Sequence, residues 1–417
     1  MMKRKAVITG LGIVAPNGIG VEAYWDALIN GKSGITRISA FDASTYRSQI
    51  GGEVSDKDLK EYLDTKTARR AARHSKMAIV SATLAAKDAG LTEELLSSER
   101  MGVCFGTTIG SPNEIYAEQH GRFLKKGRDG VLPTCSSEYT THAITSQVCI
   151  ALGVNGPNTT VAAGCSSGLD VIDWAAEMVW NNRLDMAVVG ASDALLSEFS
   201  FATLDSLGIL STRNNEPEKA SRPFERDRDG SVASEGAGAV IVESLEHARK
   251  RGARIYCEIL SHASSNEAEN MIYTDKEGKS IVSAIRRAMS LANLRPDTID
   301  HISAHGVGIK SMDLAETNAF KTYFREQAYR IPVSSVKSMT GQSYAAGGSF
   351  QTVAVCKAIE TGIIPPTINY DEPDPECDLD YVPNISRYNK IKYAMINSQS
   401  AGGSQSILIL GHINGGQ

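Results

Sequence analysis

A cysteine at a glycine- and serine-rich corner is the residue of this chain best suited to act as a nucleophile. Residues 161–172, VAAGCSSGLDVI, read as a strand end, a tight corner and the start of an amphipathic helix, with Cys165 at the helix entrance. A helix N-terminus carries partial positive charge and unpaired N–H groups, which stabilise a thiolate and bind an oxyanion. We therefore expect Cys165 to be a reactive thiol.

The alternative is that Cys165 packs in the core as a small apolar side chain, as isolated cysteines usually do. Its neighbours, however, are too small to cover the sulfur: Gly164, Ser166, Ser167 and Gly168. The helix also has its own apolar stripe at helical spacing: Leu169, Ile172, Ala176 and Val179. Both features favour an accessible sulfur atom.

Three further segments carry polar side chains or paired glycines at predicted strand ends, where α/β proteins assemble their sites. His305 lies in SAHGVGIK, Lys337 lies in SVKSMTG, and residues 397–406, NSQSAGGSQS, close a third strand. Taken singly, His305 fits a structural histidine and Lys337 a surface charge. Together with Cys165 they form a candidate catalytic set.

The elements that must position these residues alternate between strand and helix, which indicates an α/β fold with covered sheets. The predicted strands are Lys5–Thr9, Met101–Phe105, Met186–Val189, Gly238–Val242, Ile255–Leu260, Thr298–Ser303, Pro332–Ser334 and Tyr393–Asn397. The predicted helices are Thr67–Ala89, Ser166–Asn181, Ile281–Ala292, Leu314–Phe324 and Gly348–Thr361.

A weak internal repeat of this pattern is visible. A strand, a small-residue corner and a helix occur around GCSSG, and again around PVSSV and TGQSYAAGG. We predict two similar halves, residues 1–252 and 253–417, without a low-complexity linker.

Composition limits the class of protein. The 417 residues are 42% hydrophobic and 22% charged, and the net charge of −5 argues against nucleic acid as the main partner. Seven cysteines without metal-like spacing predict a reducing, cytoplasmic environment, with no disulfide framework and no metal site.

No apolar run approaches the roughly 18 residues of a membrane span. The short apolar run near the start is broken by Gly10 and Pro16 and predicts a strand, not a signal peptide.

A dinucleotide-binding fingerprint is formally present and is rejected. Gly10, Gly12 and Ala15 have the right spacing after a strand, but residues 16–18, Pro-Asn-Gly, place a turn where the phosphate-binding helix should continue.

Through these motifs the chain resembles the elongating β-ketoacyl-acyl carrier protein synthases of the thiolase-like superfamily. The similarity runs nearly end to end: VITGLGIVAPNG, GCSSG, LSTRNNEPEKASRPFERDRDG, EGAGAVIVE, AHG, SSVKSMTG, PPTIN and the closing glycine-rich loop. The resemblance implies a five-layered αβαβα fold built from the two halves.

The resemblance also implies roles for the candidate residues. Cys165 would attack an acyl-carrier thioester and hold the acyl chain covalently. His305 would donate a hydrogen bond to the malonyl-type thioester oxygen during decarboxylation, and Lys337 would set the local electrostatics. The N–H groups of Cys165 and of the loop near Ala401 would form the oxyanion hole.

Several positions depart from what the resemblance leads us to expect. Gln342 stands where a second catalytic histidine is expected, and Gln351 where a glutamate is expected. The usual phosphopantetheine-contacting threonines are replaced by two aliphatic residues: Val307 and Ile309. The closing loop, which should carry the substrate gate and part of the oxyanion hole, lacks the usual aromatic residues and reads Gln399, Ala401 and Gly402.

These departures leave three functions open. The favoured one is a ketosynthase of a polyketide or fatty-acid-like pathway, because Gln342 retains an N–H donor. The second is a non-elongating acyltransferase or decarboxylase of the same fold. The third is a non-catalytic chain-length subunit, which the presence of Cys165 argues against.

The expected partners are an acyl carrier protein and a second subunit, either identical or homologous. The carrier's phosphopantetheine arm would act as substrate carrier, with no bound cofactor. Carrier proteins of this family are acidic, so we expect a basic docking face. The segment TKTARRAARHSK, residues 65–76, read as helix, places four basic residues on one broad face, Lys66, Arg69, Arg70 and Arg73, and a second basic run contains Arg122, Lys125, Lys126 and Arg128. The alternative for either run is an ordinary solvated surface.

Overall fold

A computed structural model describes residues 4–110, 112–133, 135–271 and 274–413 of the chain. The strands are β1 Ala6–Ala15, β2 Gly18–Ile19, β3 Thr36–Arg37, β4 Ile50–Gly51, β5 Met101–Gly106, β6 Asn158–Val161, β7 Met186–Asp193, β8 Gly236–Ser244, β9 Cys257–Asn266, β10 His301–Ser303, β11 Val333–Ser334, β12 Ile363–Ile364, β13 Arg387–Tyr388, β14 Tyr393–Gln399 and β15 Ser404–Gly411. The helices are α1 Val21–Ile29, α2 Asp56–Lys60, α3 Thr65–Arg70, α4 Arg73–Asp88, α5 Glu93–Leu96, α6 Pro112–Lys126, α7 Cys135–Glu138, α8 Ala143–Leu152, α9 Ser167–Trp180, α10 Glu198–Leu207, α11 Leu245–Lys250, α12 Lys279–Leu291, α13 Lys310–Phe324, α14 Lys337–Thr340 and α15 Ala345–Thr361.

The internal repeat is visible in the strand order. The first half contributes β6-β5-β7-β8-β1 and the second half contributes β11-β10-β14-β15-β9. In each half the first three strands run parallel and the last two pair antiparallel, so the two arrangements match strand for strand. A short antiparallel pairing between β1 and β9 joins them. The predicted α/β fold of two similar halves is confirmed.

The layers follow from where the helices pack. Helices α9 and α15 lie between the strands of the two halves and supply much of the largest hydrophobic core. Helices α4 and α8 cover the outer face of the first half, and α12 and α13 cover the outer face of the second. The result is an αβαβα arrangement in which the entrance of α9 lies deep in the molecule.

The glycines of the rejected dinucleotide fingerprint serve helix packing. Strand β1 continues past the predicted end at Thr9 to Ala15. A side chain at Gly10 would overlap the carbonyl oxygen of Ala85, and one at Gly12 the carbonyl oxygen of Ser81, so α4 can lie directly on the strand only because both positions lack Cβ.

The predicted helix Thr67–Ala89 is wrong in one respect: the structure divides it into α3 and α4. Ala72 between them is extended, with ψ 158°. Its N–H donates to the carboxylate of Glu138 at 3.0 Å, a contact from a distant segment that competes with the helical hydrogen bond. Strand β15, which completes a hairpin with β14, is absent from the predicted strands.

In the described ranges, every helix is too short or too polar to cross a lipid bilayer.

Candidate active site

Cys165 lies in a 3₁₀ turn, residues Gly164–Ser166, immediately before α9. Its side chain is partly exposed, as expected. Gly168 has a further role that the sequence interpretation missed: a Cβ there would overlap the backbone of Ala345 and Ser349, so this glycine lets α15 cross close to α9. The small residues of this corner therefore serve two purposes: they leave the Cys165 sulfur accessible, and they let α15 pack closely on α9.

The stabilisation of a thiolate expected at the helix entrance is opposed by burial. Removal from water raises the pKa of Cys165 to about 11, and the buried carboxylate of Asp193 adds to this effect. Lys337 and a hydrogen bond from the Gln342 side chain lower the pKa but do not compensate. The charge at the helix entrance is thus outweighed by desolvation, and the resting nucleophile is a protonated thiol.

His305 follows β10 and is 1% exposed. Its Nδ1 accepts a hydrogen bond from the Gln399 N–H at 3.2 Å, so the ring proton resides on Nε2. Nε2 has no protein partner among the described residues. Burial, reinforced by Lys337, holds the pKa of His305 well below its usual value. The imidazole is therefore a neutral donor with a free N–H, as its expected role requires.

Lys337 begins α14 and is 2% exposed. Its Nζ donates to the carbonyl oxygen of His305 at 2.7 Å and to Oε1 of Gln351 at 3.5 Å. Burial lowers the pKa of Lys337, whereas the nearby carboxylate of Glu316 raises it. The ammonium group is thus anchored beneath the histidine backbone.

Glu316, which the sequence interpretation missed, organises the same loop from α13. Its carboxylate accepts from the N–H groups of His305 at 2.6 Å and Gly306 at 2.9 Å, and from Nδ2 of Asn397 at 2.6 Å. Burial raises the pKa of this carboxyl group. In the sequence Glu316 stands among both polar and apolar residues of a predicted helix, LAETNAFKTYF, a pattern that does not distinguish it from an ordinary exposed carboxylate.

The two glutamines at the unexpected positions have different environments. Gln342 is 8% exposed, its side chain lowers the pKa of Cys165, and its Oε1 has no partner among the described residues. Gln351 is fully buried, and its Nε2 lies 2.9–3.2 Å from several acceptors: the carbonyl oxygens of Ser303, Ala304 and Asn397, and Oγ of Ser303. Only Gln342 is available to a substrate.

The expected substrate-arm and loop positions differ in their exposure and hydrogen bonding. Val307 is buried and its N–H donates to Asp313 at 3.0 Å, whereas Ile309 is partly exposed just before α13. Ala401 is exposed, and its N–H donates no hydrogen bond among the described residues. The N–H of Gly402 donates to the carbonyl oxygen of Met271 at 3.1 Å, so it is not a free oxyanion donor.

Two serines in the closing loop were not predicted. Oγ of Ser398 donates to the carbonyl oxygen of Cys165, and Oγ of Ser400 accepts from the Cys165 N–H, each at 3.1 Å. They lie at i and i+2, the spacing that puts side chains on the same face of an extended chain. That spacing in residues 397–403 was the available signal, but it does not indicate which segment the serines contact.

The predicted basic docking face is partly wrong. The guanidinium of Arg73 donates to both carboxylate oxygens of Glu235, at 2.7 and 2.5 Å, and therefore cannot serve an external partner. It also begins a separate helix, which breaks the expected common face. Arg69 and Arg70 are exposed at the end of α3.

The remaining members of the two basic runs are less uniform than predicted. Lys125 and Lys126 are exposed at the end of α6. Arg122 pairs with Glu118 at 2.8 Å, and Arg128 pairs with Asp129 at 3.2 Å. The side chain of Lys66 lies outside the described part of the chain.

Comparison with known proteins agrees with this geometry. The family model for the N-terminal domain of β-ketoacyl synthases matches residues 3–248, and that for the C-terminal domain matches residues 256–371. The tetracenomycin polyketide synthase ketoacyl synthase alpha subunit of Streptomyces glaucescens is 39% identical over 98% of this chain and 97% of its own. The 3-oxoacyl-[acyl-carrier-protein] synthase 2 of Coxiella burnetii is 38% identical over 99% of this chain and 100% of its own.

A solved type II polyketide ketosynthase, in complex with its acyl-carrier protein and bound to a hexaketide, superposes with a TM-score of 0.92 at 33% identity. It covers 99% of this chain and 100% of its own. The ishigamide ketosynthase/chain length factor also gives 0.92, at 31% identity and with the same coverage. Two matched domains, a thiolase-like fold and a partly exposed cysteine with a buried histidine and lysine thus agree, and the chain belongs to the β-ketoacyl synthase family as a ketosynthase.

Proposed function

We propose that this ketosynthase stores an acyl chain on Cys165 and elongates it with a malonyl-type carrier thioester, using His305 as the donor in decarboxylation. The observation that carries the proposal is the free Nε2–H of His305, a buried donor whose other nitrogen is already occupied. A buried donor without a partner is costly unless a ligand completes it.

In the first half-reaction, the Cys165 sulfur attacks the thioester carbonyl carbon, and the former π electron pair moves to the oxygen. Collapse of this intermediate breaks the bond to the phosphopantetheine sulfur. The thiol proton leaves with the departing phosphopantetheine thiol, so the protonated resting state of Cys165 is consistent with a balanced transfer.

In the second half-reaction, the malonyl unit loses carbon dioxide, and the electron pair of the broken C–C bond becomes an enolate. The Nε2–H of His305 stabilises the enolate oxygen. The enolate carbon then attacks the acyl group on Cys165, the C–S bond breaks, and the released thiolate takes up one proton from water to restore the resting thiol. Gln342, whose side chain lowers the pKa of the Cys165 thiol, supplies the second side-chain donor.

The proposed substrate carrier is the phosphopantetheine arm of an acyl carrier protein, which would pass Ile309 at the start of α13. A homologous ketosynthase-type subunit is the proposed partner. The outer edge of β6 has no strand partner among the described residues, and such an edge suits addition of a strand from a second subunit. The unpaired state of the cysteines supports a reducing, cytoplasmic location.

Mass spectrometry of the protein after exposure to an acyl N-acetylcysteamine thioester tests the proposal. We expect one acyl group on the peptide containing Cys165, and its conversion to a β-ketoacyl product when malonyl-carrier protein is added. His305→Ala should still be acylated but release little carbon dioxide. Cys149→Ala, which removes another partly exposed thiol, is the matched control. Equal labelling in Cys165→Ala would contradict the proposal.

A further inference from the structure

The N–H of Cys165 already has a hydrogen-bond acceptor in the free protein. The hydroxyl oxygen of Ser400 lies 3.1 Å from this nitrogen. The same N–H is one of the two donors that a thioester oxygen would need during attack by Cys165. Ser400 is 6% exposed, so bulk water does not compete freely for this contact.

The main chain leaves a specific space for the Ser400 hydroxyl. A Cβ at Gly164 would overlap its oxygen, so the contact requires glycine at that position. Gly164 has φ +69°, a conformation that also disfavours other residues. The serine and the glycine therefore fit each other, although 236 positions of chain separate them.

The Ser400 backbone is fixed on both sides. Its N–H donates to the carbonyl oxygen of Ser404 at 2.8 Å, and its carbonyl oxygen accepts from the Gly403 N–H at 3.1 Å. The hydroxyl can thus leave the Cys165 N–H by rotation about χ1 alone, without movement of the loop. Ser398 meanwhile keeps its bond to the Cys165 carbonyl oxygen.

We propose that the Ser400 hydroxyl occupies the oxyanion hole of the resting enzyme and must be displaced by the thioester carbonyl oxygen in each acylation. Ser400 is a positioning residue: it holds the Cys165 N–H in place while the site is empty and leaves when substrate enters. The inference rests on the proposed acylation of Cys165. The Ala401 N–H, exposed and without a partner among the described residues, is the second donor that the incoming oxygen would find free.

The test compares two reactions of Cys165 in the wild-type protein and in Ser400→Ala. Acylation by an acetyl N-acetylcysteamine thioester develops an oxyanion, whereas alkylation by iodoacetamide does not. Because a neutral hydrogen bond contributes about 1 kcal/mol net, we expect Ser400→Ala to be acylated about twofold to tenfold faster. Alkylation should proceed at the wild-type rate. Ser404→Ala, on the same hairpin, is the matched control and should change neither rate.

Any other result would overturn the inference. Equal or slower acylation of Ser400→Ala would mean that the hydroxyl does not compete with substrate. A parallel increase in both reactions would mean that the sulfur had merely become more accessible. Ser400→Gly, checked for an unchanged melting temperature, guards against a folding defect in the first variant. If neither the wild-type protein nor the variants were acylated, the proposed function itself would be overturned.

Discussion

The Nζ of Lys337 lies 2.7 Å from the backbone carbonyl oxygen of His305 and contacts neither the imidazole ring nor the Cys165 sulfur through a hydrogen bond. Its charge nevertheless lowers the pKa of both side chains. Burial is the main reason that His305 stays neutral, and the lysine reinforces it while partly offsetting the desolvation of Cys165 from the same fixed position. On its other side, the ammonium group faces Oε1 of Gln351 at 3.5 Å.

Replacing Gln351 with glutamate, the residue that the family resemblance leads us to expect, should be more harmful than replacing it with methionine. The amide nitrogen faces three backbone carbonyl oxygens, to which a carboxylate cannot donate, and the Lys337 ammonium, 3.5 Å from Oε1, attracts only the oxygen on the opposite side. We expect Gln351→Glu to lower the free energy of unfolding by about 3–5 kcal/mol and Gln351→Met by about 1–3 kcal/mol. Denaturant titrations measure both, and a Glu variant as stable as the Met variant would refute this explanation.

Gln342→His should increase release of carbon dioxide from malonyl-carrier protein. A histidine at this position would restore the second donor that the family resemblance implies, and oxyanion donors are commonly worth about 10²–10³ in rate. We expect a gain of about tenfold, because the Gln342 amide already supplies a weaker donor. Gln342→Ala is the control and should be slower than wild type. A histidine variant no faster than wild type would indicate a site rebuilt around the amide.

Folding stability should fall at alkaline pH because of His262. Its ring contacts Asp170 at 3.2 Å, Asp173 at 3.3 Å and Oγ of Ser406 at 2.7 Å. Although burial opposes the charge, hydrogen bonds and attraction to the two carboxylates raise the pKa of His262 to about 9. Since the folded pKa exceeds the unfolded one, the stabilisation is fully present below about pH 6.5 and is lost as pH rises through about 9.

The measurement is the difference in unfolding free energy between the wild-type protein and His262→Gln. This difference should shrink by up to about 3 kcal/mol between pH 6 and pH 9.5. Subtracting the variant removes the contributions of other titrating groups. A difference independent of pH would show that His262 is neutral in the folded protein.

Charge reversal at Arg69 and Arg70 should slow acyl transfer from a carrier protein. Both side chains are exposed, and neither forms an ion pair within the described ranges. We expect the double variant to be about threefold to tenfold slower at low ionic strength and less affected at high salt. Transfer from a small thioester should be unchanged.

The matched control is Arg295→Glu, an exposed arginine in the second half of the chain, which should leave both rates unchanged. Equal losses with the carrier protein and the small thioester would place the defect in folding or chemistry and exclude docking at α3.

The sequence by itself determined the parts of this protein that depend on local pattern. The corner at Cys165, the strand ends at His305 and Lys337 and the repeat of two halves all follow from residue types and spacing over a few positions. The tertiary structure alone decided what those groups meet. The contact of Ser400 with Cys165, the pairing of Arg73 with Glu235 and the break in the predicted helix before α4 all join segments distant in the chain. The direction of the Cys165 pKa shift was likewise decided by the tertiary structure, because desolvation depends on everything packed around a group and not on its neighbours in sequence.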